Sequence, residues 1–182
     1  EAGLPDGVIN LIHGKGSGAG QDLVDSADLG MVDKIDLQVF IDKFLRPEPR
    51  LNLGRSLRGV ATAVMDVSDG LLADIGQICR ASNVRAVVHE GKVPFSAGAQ
   101  LLVSKCPGLL PDLMAFGDDY ELVFCIPDSN REALRDILKN SPIQATEIGT
   151  ITRGAGVDLI DIDGNTIQRR HDGYKHVFPA QG

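Results

Sequence analysis

The stretch Met65-Asp66-Val67-Ser68-Asp69-Gly70-Leu71-Leu72 constrains the fold most, because it joins an apolar strand to an apolar helix through polar residues. Residues 61–67 form the short apolar run that is typical of a buried strand, and Gly70 permits a sharp turn. Helical spacing of apolar residues then begins, at Leu71, Leu72, Ile75, Ile78 and Cys79. The pattern places Asp66, Ser68 and Asp69 between a strand end and a helix start.

These three polar residues have two interpretations. A helix N-terminus offers free N–H groups and the positive end of the helix dipole, which favour phosphate, and neighbouring carboxylates are compatible with it if Mg²⁺ neutralises their charge. Alternatively, Ser68 or Asp69 only caps the helix. These residues alone leave both interpretations open.

A second acidic stretch favours the first interpretation. Phe116-Gly117-Asp118-Asp119-Tyr120-Glu121-Leu122-Val123-Phe124 again runs from polar residues into an apolar strand, about fifty residues further on. Together with Asp66-Val-Ser-Asp-Gly-Leu-Leu-Ala-Asp74, Lys92-Val-Pro-Phe-Ser96 and Arg46-Pro-Glu-Pro-Arg50, it resembles the C-terminal domain of thiamine-monophosphate kinase. That family belongs to the aminoimidazole ribonucleotide synthetase superfamily, and the resemblance extends from about Leu45 to the end of the chain.

The resemblance implies ATP-dependent phosphorylation of thiamine monophosphate to thiamine diphosphate by direct phosphoryl transfer, with Mg²⁺ as cofactor and no covalent catalytic residue. By matching positions, Asp66 and Asp69 are expected to bind metal and Ser68 to contact ATP. Asp118 and Tyr174 are expected to contact the substrate; Tyr174 is chosen over Phe178 because Gly173-Tyr-Lys-His-Val-Phe178 has one residue more than the family's motif. The resemblance also implies a homodimer for the full-length family.

In that family an N-terminal half supplies further metal-binding aspartates and much of the nucleotide site, and nothing equivalent precedes Asp66. We therefore expect the activity of this chain alone to be weak or absent. Because the chain opens with Glu1 rather than Met, we expect a processed, truncated or incompletely recorded protein. Two alternatives remain. One is a non-catalytic binding or oligomerisation module derived from this fold, and the other is a related ATP-using synthetase of the same superfamily.

Composition narrows the class of protein. The chain of 182 residues has 18 basic and 25 acidic residues and a net charge of −7, which disfavours binding to nucleic acid or to an anionic membrane. No apolar run approaches the roughly 20 residues of a membrane span. Cys79, Cys106 and Cys125 lack metal-binding spacing, so we expect reduced and mostly buried thiols in a cytosolic protein.

The remaining pattern predicts one α+β domain over residues 1–182, a mixed sheet covered by helices largely on one side. Strands are expected at 8–12, 61–67, 84–89, 120–126, 148–151 and 157–162, and helices at 21–26, 36–45, 71–81, 97–105 and 128–138. The Gly-rich opening segment, residues 1–25, is of uncertain kinship: residues 2–14 also resemble a segment of aldehyde dehydrogenases, and the glycines after His13 fit a flexible turn or a phosphate loop.

Four arginines lie close together before the central strand, at positions 46, 50, 55 and 58. A basic face in contact with solvent is one interpretation. Contact with a substrate phosphate beside the acidic site is the other.

Overall fold

The computed structural model describes residues 7–13, 42, 45–105, 110–115, 117, 120–139 and 141–167. Within these ranges six strands form one sheet, five α-helices are described from end to end, and residues 42 and 45 are also helical. The strands are β1 (Gly7–His13), β2 (Ala63–Asp66), β3 (Val84–His89), β4 (Leu122–Pro127), β5 (Gln144–Arg153) and β6 (Gly156–Ile160). The helices are α1 (Leu51–Ser56), α2 (Leu71–Ser82), α3 (Ala97–Lys105), α4 (Leu110–Ala115) and α5 (Arg131–Leu138).

The strand order in the sheet is β2-β4-β1-β5-β3-β6. All neighbours are antiparallel except β3 and β6, so the sheet is mixed, and the predicted α+β class is confirmed. Strand β1 lies in the middle, between β4 and β5, which makes residues 7–13 part of the same sheet as the rest. Strand β2, which carries the first acidic motif, lies at one edge.

Helices pack on both faces of the sheet, and not largely on one side as the sequence pattern predicted. Side chains alternate across a strand, and Val123 and Cys125 of β4 accordingly pack in a cluster with α2. Phe124 and Ile126 point the other way and pack in a second cluster with residues of α1 and α5, including Leu134. No helix in the described ranges is long and apolar enough to span a membrane.

Helix α2 forms as its apolar spacing predicts. The five residues that define the spacing are all buried, and burial of one such aliphatic side chain contributes roughly 1.5–3 kcal/mol to folding. The helix ends because Asn83 adopts a left-handed conformation, with φ of 52°, and donates its N–H to the Cys79 carbonyl. Cys79 and Cys125 are buried free thiols, and burial raises the pKa of Cys125 to about 12.

Several element boundaries differ from the prediction. Strand β5 is longer than residues 148–151, and β4 begins at Leu122 because Tyr120 has a left-handed φ of 50°. Helices α1 and α4 were not predicted; α4 contains Pro111 in its first turn, where a proline needs no N–H partner. The predicted helices at 21–26 and 36–45, the latter apart from residues 42 and 45, and the glycines after His13 lie outside the described residues.

A buried ion pair joins the segment before α1 to the start of β4. Arg50 Nε donates to Glu121 Oε2 at 2.7 Å, and Arg50 Nη2 donates to Glu121 Oε1 at 2.9 Å. Arg50 is 8% exposed and Glu121 5%. The hydrogen bond to Glu121 raises the pKa of the Arg50 guanidinium, which also bonds Glu48 at 3.0 Å. The two charges therefore compensate each other beneath the second acidic motif.

Strand β5 contains a bulge at a glycine. Ile9 of β1 faces Gly149, whereas Asn10 faces Glu147, so Ile148 is an extra residue in β5. Gly149 also faces Val88 of β3, and a Cβ atom on Gly149 would lie 2.1 Å from the Val87 carbonyl oxygen. A side chain at this position would force β3 away from β5.

We expect Gly149→Ala to lower the free energy of unfolding by about 1–3 kcal/mol, the usual cost of an overpacked interior. Urea denaturation measures the change. Gly54→Ala is the matched control, because a Cβ there would meet Leu122 Cδ1 at an ordinary 3.6 Å. In helix α1 alanine should raise stability by about 0.5–1 kcal/mol. Equal stability of the Gly149→Ala variant and the wild type would contradict the close packing.

We expect Arg50→Met to destabilise the protein by about 3–5 kcal/mol, because it leaves the Glu121 carboxylate buried without a partner. Lys139→Met is the control; its pair with Asp136 is exposed and should contribute no more than about 1 kcal/mol. The double variant Arg50→Met/Glu121→Leu should recover part of the loss in urea denaturation. A double variant less stable than Arg50→Met alone would argue against an uncompensated charge as the cause.

Candidate functional site

The backbone brings the two acidic motifs together. Strand β2 ends at Asp66, which faces Leu122 of β4, and the next residue, Val67, continues the pairing. The Val67 N–H donates to the Glu121 carbonyl at 2.8 Å, and the Tyr120 N–H donates to the Val67 carbonyl at 2.8 Å. The turn that follows Asp66 therefore lies directly beside the residues that precede β4.

Gly117 packs against the same turn. A Cβ atom on Gly117 would lie 1.9 Å from the Ser68 carbonyl oxygen and 2.7 Å from the Ser68 carbonyl carbon. Any larger residue would displace the backbone of the turn, so the glycine of the second motif is required by contact with the first. Asp118 and Asp119 lie outside the described residues.

The carboxylate of Asp74 fixes the conformation of the turn through hydrogen bonds to its backbone. Its Oδ2 atom accepts three backbone N–H groups, from Ser68 at 2.9 Å, Asp69 at 3.1 Å and Gly70 at 3.2 Å. Asp74 lies in the first turn of α2 and is fully buried. Burial raises the pKa of its carboxyl group, the nearby charge of Asp69 adds to that shift, and the three N–H groups act in the opposite direction.

Neither Ser68 nor Asp69 caps the helix, so the simple capping interpretation is wrong. The N-cap of α2 is Gly70, whose φ is 124°, and no side chain bonds the helix N-terminus from that position. Instead, the side chain of Asp74, which lies in the helix, accepts hydrogen bonds from the backbone of the turn that precedes the helix. Because Asp74 already occupies the turn's N–H groups, the turn offers a phosphate its side chains and not those amides.

The three predicted residues of the turn differ in accessibility. Asp66 is exposed, whereas Ser68 and Asp69 are half-buried. Among the described residues, no group of three or more His, Cys, Asp or Glu side chains is arranged to hold a metal ion. Mg²⁺ commonly binds one or two protein carboxylates and completes its shell with water and substrate phosphates, so Asp66 and Asp69 suit a metal that arrives with a nucleotide.

A groove of about 490 Å³ runs beside β2 and α1. Its lining combines Asp66 and Tyr120 with apolar side chains, including Leu51 and Val64, and with exposed arginines. Tyr120 holds a positive φ that is unfavourable for an aromatic residue, and backbone strain of this kind is concentrated at functional sites. The predicted metal ligand Asp66 thus shares a concave surface with an exposed aromatic ring.

The arginine cluster divides into two kinds of residue. Arg50 is buried in its pair with Glu121, so it is not part of a solvated basic face, and it also contributes to the lining of the groove. Arg55 and Arg58 are exposed and line the groove with Asp66, and Arg46 is exposed.

Two residues that shape the site were not predicted from the sequence pattern. Asp74 belongs to the first motif, and an acidic side chain in the first helical turn after Ser-Asp-Gly is a recognisable partner for free amides. Glu121 belongs to the second motif, and its pairing with Arg50 spans 71 residues, a separation that no local pattern reveals. Tyr174, the second predicted substrate contact, lies outside the described residues.

Comparison with known proteins gives consistent results. The profile of the family described as AIR synthase related protein, C-terminal domain, matches residues 15–162. The thiamine-monophosphate kinase of Escherichia coli strain K12 is 34% identical over 148 residues, which are 81% of this chain and 45% of that protein. The chain thus spans about half the length of the curated relatives it matches.

Comparison with solved structures leads to the same group of proteins. The crystal structure of thiamine-monophosphate kinase from Stenotrophomonas maltophilia K279a has a TM-score of 0.76 and 31% identity, covering 92% of this chain and 53% of that one. A structure of AaThiL complexed with AMPPCP and TMP has a TM-score of 0.73 and 25% identity, covering 97% and 53% respectively. With the joined acidic motifs, these matches show that the chain belongs to the AIR synthase related family, through its C-terminal domain, and that its relatives are thiamine-monophosphate kinases.

Proposed function

We propose that this chain supplies the C-terminal half of a site that transfers the γ-phosphoryl group of ATP to thiamine monophosphate, giving thiamine diphosphate. The observation that carries the proposal is the pairing of Val67 with Tyr120 and Glu121, because it joins the two motifs on which the resemblance depends. Support comes from the relatives named thiamine-monophosphate kinase and from the AaThiL structure with AMPPCP and TMP.

In this proposal the turn after β2 binds ATP together with its metal ion. Asp66 and Asp69 are the metal ligands, and the Ser68 hydroxyl donates to a phosphate oxygen of ATP. The amides of residues 68–70 bond Asp74, so side chains and metal have to make the phosphate contacts at this turn. A bound Mg²⁺ would supply charge neutralisation for the phosphate oxygens.

Phosphoryl transfer needs no covalent protein intermediate, since its transition state depends on alignment and on stabilisation of spread negative charge. The described residues hold the turn that carries the proposed metal ligands in a fixed arrangement. The turn is tied to β4 by Val67, packed by Gly117 and fixed internally by Asp74. A rigid turn keeps the carboxylates of Asp66 and Asp69 in place without reorganisation during the reaction.

The substrate contacts remain proposals drawn from matching positions. Asp118 is proposed to accept a hydrogen bond from thiamine monophosphate, whose thiazolium ring carries a positive charge, and Tyr174 to stack on one of its rings. Assembly of the full-length protein as a homodimer, which the resemblance implies, and the cytoplasmic location expected from the cysteines also stay predictions.

Calorimetry on the chain tests the proposal against its alternatives. The titrants are thiamine monophosphate, and AMPPCP with Mg²⁺. Heat with both supports half of a kinase site. A purely structural or oligomerisation module gives heat with neither, and AMPPCP binding without thiamine monophosphate binding would favour a related ATP-using enzyme.

We expect Asp66→Ala to remove most of the Mg²⁺ dependence of AMPPCP binding, because a metal ligand is lost. Asp66 is exposed, so the free energy of unfolding should change by no more than about 0.5 kcal/mol. Asp158→Ala, on the strand at the opposite edge of the sheet, should leave AMPPCP binding unchanged. Calorimetry with and without Mg²⁺ makes the measurement, and an unaltered Mg²⁺ dependence would exclude Asp66 as a ligand.

We expect Asp118→Asn to weaken thiamine monophosphate binding by about 1.5–3 kcal/mol, the range for a hydrogen bond to a charged group. AMPPCP affinity, measured on the same sample, is the internal control and should not change. If Asp118 only orders the turn after Gly117, asparagine would replace it well. Unchanged affinity for thiamine monophosphate would therefore remove Asp118 from the substrate site.

A further inference from the structure

Three consecutive amides converge on one carboxylate oxygen at the start of α2. Asp74 Oδ2 accepts from residues 68, 69 and 70 within 3.2 Å, and the Asp74 N–H donates to the Gly70 carbonyl at 2.9 Å. The side chain and the backbone of Asp74 thus both bond the turn. Together these bonds fix the conformation of a segment that contains Ser68 and Asp69.

Burying the Asp74 carboxylate costs more free energy than capping the helix requires. Asp74 is fully buried, its Oδ1 atom has no hydrogen-bond partner among the described residues, and it lies near the charge of Asp69. An uncharged acceptor could satisfy backbone N–H groups without burying a charge. Stability of the helix start therefore does not by itself account for a carboxylate here.

A divalent cation bound at the turn would account for the presence of the Asp74 carboxylate. Asp69 contributes its backbone N–H to Asp74 and its side chain to the proposed metal site, so one residue connects the two. Residues that orient metal ligands by hydrogen bonding commonly affect metal affinity almost as strongly as the ligands themselves. Because the bond is to the backbone of Asp69, its carboxylate stays available for coordination.

We propose that Asp74 is a positioning residue for metal binding, which holds the backbone of Ser68–Gly70 so that the Asp69 carboxylate and the Ser68 hydroxyl face the metal-bound nucleotide. The inference rests on the proposed function, because it takes the metal site from it. It adds a residue that never contacts metal, nucleotide or substrate and acts only through the turn.

The test compares Mn²⁺ affinity with the state of the turn in the same variants. Mn²⁺ is the probe, used with and without AMPPCP, and its dissociation constant is measured by electron paramagnetic resonance. Amide chemical shifts of residues 68–70 are measured by NMR without metal. Asp74→Ala should move all three amide signals and weaken Mn²⁺ binding by about 10- to 100-fold. Asp74→Asn keeps an acceptor oxygen but loses the stronger, charge-assisted bonds that a carboxylate makes, so both properties should fall between those of Asp74→Ala and the wild type.

Asp161→Ala is the matched control. Asp161 Oδ1 likewise accepts two backbone N–H groups, from Asp163 at 2.9 Å and Asn165 at 2.8 Å, in a turn after β6. Strand β6 forms the opposite edge of the sheet from β2. The control should alter the amide signals of its own turn and leave Mn²⁺ affinity unchanged.

The amide signals and the Mn²⁺ affinity together decide which role Asp74 has. Displaced amide signals with unchanged Mn²⁺ affinity would make Asp74 a structural residue only, and weaker binding with unmoved signals would mean that it acts through charge. If Asp74→Ala does not fold, the same two comparisons apply to Asp74→Asn. A wild-type chain that binds no Mn²⁺, either alone or with AMPPCP, overturns the metal site and this inference together, whereas Mn²⁺ binding without binding of thiamine monophosphate overturns the proposed function alone.

Discussion

The backbone hydrogen bonds of Val67 are the interaction on which the rest of the site depends. Strand β2 has four residues and lies at the edge of the sheet, with β4 as its neighbour. Val67 extends that pairing beyond Asp66, so the turn starts from a fixed point beside the second motif. The helix after the turn is anchored separately by its buried face. The site thus lies between a short edge strand and a well-packed helix.

Buried charge is distributed unequally around this site. In the second motif, the negative charge of Glu121 is balanced by Arg50. In the first motif, Asp74 bonds only N–H groups among the described residues, and Asp66 and Asp69 are close to it along the chain. The first motif therefore retains a local excess of negative charge. Such an excess attracts cations even where exposed arginines lie nearby.

Sequence pattern predicted the elements that have strong periodicity, such as α2, whose apolar residues are all buried. It predicted the turn between β2 and α2 as well. It failed where a residue's conformation depends on a distant partner: Tyr120 looked like strand but is held in a left-handed conformation by its bond to Val67. The pairing of Arg50 with Glu121 and the closeness of Gly117 to Ser68 also depend on contacts across the fold.

The conformation of Tyr120 has a consequence for the dynamics of the site. A non-glycine residue in a sparsely populated backbone region stores of order 1–3 kcal/mol, which is released when the surrounding contacts break. Local opening of a protein begins where little free energy opposes it. The amide of Tyr120, bonded to Val67 at the sheet edge, should therefore exchange its hydrogen with solvent earlier than those of central strand β1. A ligand that holds the site closed would slow that exchange, so ligand binding and order at this edge would rise together.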